Sequence, residues 1–118
     1  VVTINKELLR GSNAVLLLSM LSRESMYGYQ IIKEISRQSG GVFDLKEGTL
    51  YPILHALEAE GSVASYWQES NEGRRRKYYR ITAQGIKLLS AKKAEWSQFK
   101  QAVDQVIGGM RLEPATGS

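Results

Sequence analysis

The sequence predicts a mainly α-helical α+β domain in which three helices precede a β-hairpin and one long helix follows it. Three observations carry that prediction. Apolar residues recur at helical spacing through three segments before Gly61, each closed by a polar or glycine-rich break. The period changes to two between Ser62 and Thr82. After Thr82 a helical repeat returns, with apolar residues three, four and seven positions apart.

Asn5 is placed to cap a first helix running to about Leu21, with Leu8, Leu9, Val15, Leu16, Leu18 and Met20 as its apolar positions. They cover more than one side, which predicts burial on two sides. The polar break "SRES" follows, then a second helix from about Met26 to Gln38. It has Ile31, Ile32 and Ile35 inward, with Lys33, Ser36 and Arg37 outward, and Ser39-Gly40-Gly41 ends it. Gly28 costs helix propensity near the start, which predicts close approach of another helix there. The third helix, "KEGTLYPILHALEAEG" (Lys46 to Gly61), carries Leu50, Leu54 and Leu57 on one side. Thr49, Tyr51, Pro52 and His55 sit on or near the other side, close to its start. Pro52 cannot donate to the Gly48 carbonyl and disfavours a regular helix at that point.

"SVASYW" (Ser62 to Trp67) and "KYYRIT" (Lys77 to Thr82) are short and rich in β-branched and aromatic residues, so they read as two strands. The polar stretch "QESNEGRRR" joins them as a long loop. Thr82 then caps a final helix from Ala83 to about Ile107, which Gly108-Gly109 terminates. The order α-α-α-β-β-α is that of a winged helix-turn-helix. In that arrangement the third helix is offered to a DNA major groove and the hairpin loop lies along the backbone. Residues 1–82 form this domain, 83–110 a C-terminal dimerisation helix, and 111–118 a tail expected to be disordered.

Charge placement agrees. Arg74, Arg75, Arg76, Lys77 and Arg80 supply five positive charges within seven residues and no acid, while the rest of the chain holds 11 basic and 12 acidic residues. A phosphate-facing wing has this distribution; so does a solvated loop. If the wing faces phosphate, Glu69 and Glu72 are expected to turn away.

Other classes fit poorly. One histidine, no cysteine, no phosphate-binding glycine loop and no carboxylate cluster at metal spacing argue against an enzyme, and no cofactor or metal is expected. The absence of cysteine suits a reducing cytoplasm. The longest apolar run, Ala14 to Leu18, is too short to span a bilayer and lies too deep for a signal peptide, so no membrane partner is expected.

The ordered set "ELLRGS", "MYGYQIIKEI", "GTLYPILHALEAEG" and "RRKYYRITAQG" resembles the PadR family of bacterial transcriptional regulators, in its short form with a single C-terminal helix. The resemblance covers roughly Lys6 to Leu89. It implies a dimeric, DNA-binding, ligand-responsive repressor. Lys46 departs from the small polar N-cap frequent in relatives, which should cost the helix start about 1 kcal/mol; its side chain is long enough to reach a phosphate instead.

The expected DNA contacts are Lys46, Thr49, Tyr51 and His55 on the third helix, and Arg74, Arg75, Arg76 and Lys77 on the wing. Tyr27 and Tyr29, flanking Gly28, are expected first to pack on the third helix and second to touch the backbone. Each has a plainer alternative, with Tyr51 as a half-buried core aromatic and His55 as an ordinary surface residue. Lys33 and Arg37 are weaker phosphate candidates.

On the last helix Leu89, Trp96, Phe99, Val103, Val106 and Met110 recur at intervals of 7, 3, 4, 3 and 4, a heptad seam interrupted at Lys92. A stripe that outruns its own core needs a partner, most simply a second copy, so these residues are the expected homodimer interface, joined by the first helix. A dimer offers two reading helices to a pseudo-palindromic duplex site about one DNA turn apart. Trp96 either packs in that interface or, as resemblance to drug- and phenolic-sensing members implies, walls a cavity for a planar aromatic effector. Val15 and Leu8 would complete the wall, and Lys100 would favour neutral or anionic ligands. The competing function is a winged-helix protein–protein module without sequence-specific DNA binding.

Overall fold

The computed structural model describes residues 12–108. Leu8, Met110, the first turns expected from Asn5 and the tail from Arg111 lie outside the described residues. The order is α1 (Asn13–Leu21), β1 (Met26–Tyr27), α2 (Gly28–Gln38), α3 (Glu47–Ala59), β2 (Val63–Glu69), β3 (Arg75–Ile81) and α4 (Ala83–Val106).

The core forms where the apolar spacing places it. Leu17 and Leu18 of α1, Ile31 of α2, and Leu50 and Leu54 of α3 are fully enclosed, against Val63 and Tyr79 from the sheet. Each such side chain contributes about 1.5–3 kcal/mol through removal from water. The leucine side of α3 is thereby committed inward, and its other side is left to solvent.

Two features differ from the sequence reading. Met26 and Tyr27, expected to begin the second helix, form a short edge strand, and the sheet order is β1-β3-β2, antiparallel throughout. Met26 pairs with Tyr79 and Tyr27 with Tyr78. The extended backbone of Tyr27 (φ −91°, ψ 165°) lets Met26 enter the core, where it is 3% exposed, before α2 starts at Gly28. The helical period of the following isoleucines masked that two-residue ladder.

The wing strands also run further toward their tip than expected. Trp67 pairs with Lys77, Gln68 with Arg76 and Glu69 with Arg75. The last is an opposite-charge cross-strand pair, which favours extension of the ladder. The connecting turn closes where the Ser70 amide donates to the Arg74 carbonyl at 2.8 Å and Gly73 takes a positive φ of 78°. Arg75, Arg76 and Lys77 are therefore strand residues with fixed directions, and Arg74 alone of the basic run sits in the turn.

Thr82 caps α4 as expected. Its Oγ1 accepts the Gly85 amide at 3.0 Å and donates to the Gly61 carbonyl at 2.6 Å. At Gly85 a Cβ would fall 2.7 Å from Ile81 Cγ1 and 3.0 Å from the Ser62 carbonyl carbon, so only glycine permits this approach of helix and sheet. Leu89, assigned from the heptad pattern to a partner seam, is instead 5% exposed within this protomer's own core, because the first turns of α4 pack on α1. Beyond it the helix leaves the domain. Its 24 residues span about 36 Å, and Trp96, Phe99 and Val106 stand exposed along it. Among the described residues no helix is long and apolar enough to cross a membrane.

Candidate nucleic-acid interface

The start of α3 is open to solvent. Lys46 holds the N-cap position in an extended conformation and gives no side-chain cap, as expected. Its Nζ lies 3.0 Å from Asp44 Oδ2, an exposed pair of the kind worth about 0–1 kcal/mol. The Lys46 carbonyl accepts from the Thr49 and Leu50 amides at 3.0 and 2.9 Å, so the first turn closes through the backbone. Pro52 sits inside the helix on its exposed side. The carbonyl left without a donor belongs to Gly48, which is exposed and has no Cβ, so water can take the place of the missing amide.

Thr49, Pro52 and His55 form the exposed surface of these turns, and Tyr51 is half-buried. Tyr51 turns toward the beginning of α2. A Cβ on Gly28 would lie 2.6 Å from Tyr51 Cζ, which explains the glycine. Burial, and secondarily the charge of Glu47, raises the Tyr51 pKa above the ordinary value of 10, so the hydroxyl keeps its proton at neutral pH. The His55 ring centroid lies 6.3 Å from that of Tyr51.

Across from α3, the cations of β3 are laid over aromatic rings. The Arg75 guanidinium stands 5.2 Å from the Trp67 centroid, Arg76 stands 4.3 Å from Tyr27, and Lys77 Nζ stands 5.8 Å from Tyr79. Such contacts contribute about 0.5–1 kcal/mol at exposed sites, and they also fix direction. Arg76 is the most committed. Its side chain is 21% exposed and bonds Glu72 Oε1 at 3.2 Å. Glu72 thus does not turn away from the basic run; it neutralises one member of it. Tyr27 in turn packs edge-on against Tyr78 at 5.4 Å, and Tyr66 stacks on Tyr78 at 5.8 Å, a row that ties the three strands together.

These elements enclose a groove of about 440 Å³ between the start of α2, α3 and the wing. Of the residues singled out in the sequence, it brings together Tyr27, Tyr51, His55, Arg75, Arg76 and Lys77. Lys46, Thr49 and Arg74 stand outside its walls, exposed. Tyr29, whose second expected role was backbone contact, also lines it, and four lining residues were not assigned a DNA contact from sequence: Gly28, Glu47, Trp67 and Tyr79. For Trp67 the missing signal was register, because the longer hairpin sets it opposite Lys77. The weaker candidates on α2 are already engaged, Arg37 with Glu34 at 2.7 Å and Lys33 over the Tyr29 ring at 5.5 Å. The Arg37 hydrogen bond, helped by Gln38, lowers the Glu34 pKa to about 2.

The residues expected at an effector site (Trp96, Val15 and Lys100) and at the dimer seam (Phe99, Val103 and Val106) lie in another part of the molecule. Trp96 and Phe99 stack at 5.9 Å on the rod of α4, 46% and 56% exposed. Val15 is half-buried against the core, and Lys100 Nζ lies 3.5 Å from Asp104 Oδ2. Val103 is half-buried and Val106 exposed.

Comparison with known proteins places this architecture. A transcriptional regulator from Clostridium thermocellum superimposes with a TM-score of 0.80 at 36% identity, covering 87% of this chain and 97% of that one. A PadR family transcriptional regulator from Eggerthella lenta gives 0.74 at 35% identity, covering 86% of each chain. A transcriptional regulator of Mycobacterium tuberculosis is 28% identical over 113 residues, 96% of this chain and 99% of that protein. The model of the transcriptional regulator PadR-like family matches residues 17–91, from α1 through the wing into the buried part of α4, and the chain belongs to that family, which is one of regulators rather than enzymes.

Proposed function

We propose that this regulator binds duplex DNA as a homodimer, with α3 entering the major groove and the wing following the backbone. The observation that carries the reading is the groove itself. It sets Arg75 and Lys77 on one wall facing Tyr51 and His55 on the other, beside the exposed Thr49 at the start of α3. Cations oriented by ring faces suit phosphate oxygens, and a neutral Tyr51 hydroxyl is a donor to the same groups. Lys46 and Arg74 extend the contact beyond the groove. Arg76, held by Tyr27 and Glu72, shapes the wing more than it neutralises phosphate.

Dimerisation is supported by the rod beyond Leu89, whose Trp96, Phe99, Val103 and Val106 repeat along one stripe with no core of their own to cover them. Met110 would extend the stripe. We further assign Trp96 and Phe99, with Val15, Leu8 and Lys100, to an effector site for planar aromatic or phenolic compounds whose binding relieves repression. The support is the stacked and half-exposed pair of rings, a surface on which a planar molecule stacks.

The test is titration of duplex DNA at several salt concentrations. Wild type should lose affinity steeply with salt. Because a homodimer carries every substitution twice, the Arg74/Arg75/Arg76→Ala variant should show a log–log slope smaller by about 4 rather than 6, Arg76 being internally paired. A flat response in wild type would favour a protein-binding module. Sedimentation should give a dimer at micromolar concentration. Trp96→Ala should keep DNA binding while abolishing fluorescence quenching by planar aromatics.

A further inference from the structure

Trp67 is 59% exposed on β2, on the face of the wing that turns toward α3. It stands opposite Lys77 in the ladder and carries the Arg75 guanidinium 5.2 Å from its ring centroid. A single exposed apolar residue is ordinary. This one is distinguished by its setting, since it is the largest apolar surface on a groove wall otherwise built of cations and tyrosines. Cations alone would serve an electrostatic contact; a wide indole among them adds an apolar surface that only a partner with apolar parts can use.

We propose that Trp67 is a direct contact to the sugar–phosphate backbone, packing its ring against deoxyribose while Arg75 meets the adjoining phosphate. The proposal rests on the DNA-binding reading above and assigns to that surface a component that does not depend on charge. Deoxyribose presents C–H groups between phosphates, so one strand lying in the groove meets indole and guanidinium in alternation. The contact is independent of base sequence.

The two components separate by salt dependence. A cation that neutralises a phosphate releases counterions and changes the slope of log affinity against log salt; an apolar contact changes the intercept and leaves the slope alone. On a mixed-sequence fluorescein-labelled duplex, Trp67→Ala should bind roughly 30-fold more weakly at every salt concentration, the scale of losing about fivefold for one aromatic contact in each protomer. Trp67→Phe should stay within about threefold of wild type. Arg75→Gln, present in both protomers, should lower the slope by about 2. In a Trp96→Phe background, where Trp67 is the sole tryptophan, its emission should change on adding the duplex. Circular dichroism of each variant checks the fold, in whose core Trp67, 59% exposed, takes no part.

Equal affinity of Trp67→Ala and wild type, with Trp67 emission unmoved by DNA, overturns the proposal and leaves the DNA-binding reading standing. A Trp67→Ala variant that changes only the slope also overturns it, since the ring would then act solely by orienting Arg75. Absence of duplex binding by wild type at low salt removes the underlying reading and the proposal with it.

Discussion

Gly28→Ala tests whether the meeting of α2 and α3 is as tight as it looks. The added methyl would fall 2.6 Å from Tyr51 Cζ and 3.0 Å from Cε1, inside van der Waals contact with a rigid ring that is itself half-buried. Overpacking of this kind costs about 1–3 kcal/mol. Against it stands the gain from replacing glycine in a helix, at most about 1 kcal/mol. The expected net loss is therefore about 1–2 kcal/mol. Urea unfolding at fixed protein concentration reads it, because a dimer's midpoint moves with concentration. With a slope near 1.5 kcal/mol per molar, the midpoint should fall by roughly 1 M. The decisive arm is the double-mutant cycle. In a Tyr51→Ala background the ring is gone, and Gly28→Ala should turn neutral or stabilising, giving a coupling of about 2 kcal/mol. A neutral Gly28→Ala in the wild-type background, or an equal loss in both backgrounds, would refute the packing argument.

Two further outcomes follow from the geometry. Thr82→Ala removes both the cap on the Gly85 amide and the bond to the Gly61 carbonyl, so it should cost about 1–2 kcal/mol in the same assay, with Thr82→Ser recovering most of it. Of the six tyrosines, Tyr51 and Tyr79 should ionise last in an ultraviolet absorbance titration, because burial raises both above 10. The unfolded chain then gives up those protons first, so the contribution of these two tyrosines to stability should be flat below about pH 10 and decline as pH rises beyond it.

The helical core was legible because Leu50, Leu54, Leu57, Ile31 and Ile35 recur at a spacing that only a helix can place on one side. The change of period after Gly61 gave the hairpin for the same reason. β1 was hidden, since two residues cannot show a period, and only the pairing of Met26 with Tyr79 makes them a strand. The candidate site was legible as a set of residue types and opaque as an arrangement. Nothing in "GRRRKYY" distinguishes Arg75, lying on Trp67, from Arg76, tied to Glu72 and Tyr27. Those fates are decided by alternation along β3 and by residues four to forty-nine positions away. Leu89 was misplaced because a heptad pattern is indifferent to which body fills the facing hole, and α1 of the same protomer fills it.

Only Thr82 separates the last residue of β3 from the first of α4, and its hydroxyl is bonded to the Gly85 amide within α4 and to the Gly61 carbonyl ahead of β2. Wing and rod are consequently parts of one lever without a hinge. In an assembly that joined two rods, so short a junction would carry a change in how they cross toward both wings. Lengthening the junction with glycines would introduce slack, leaving each protomer folded but its wing no longer answering to the angle of the rods.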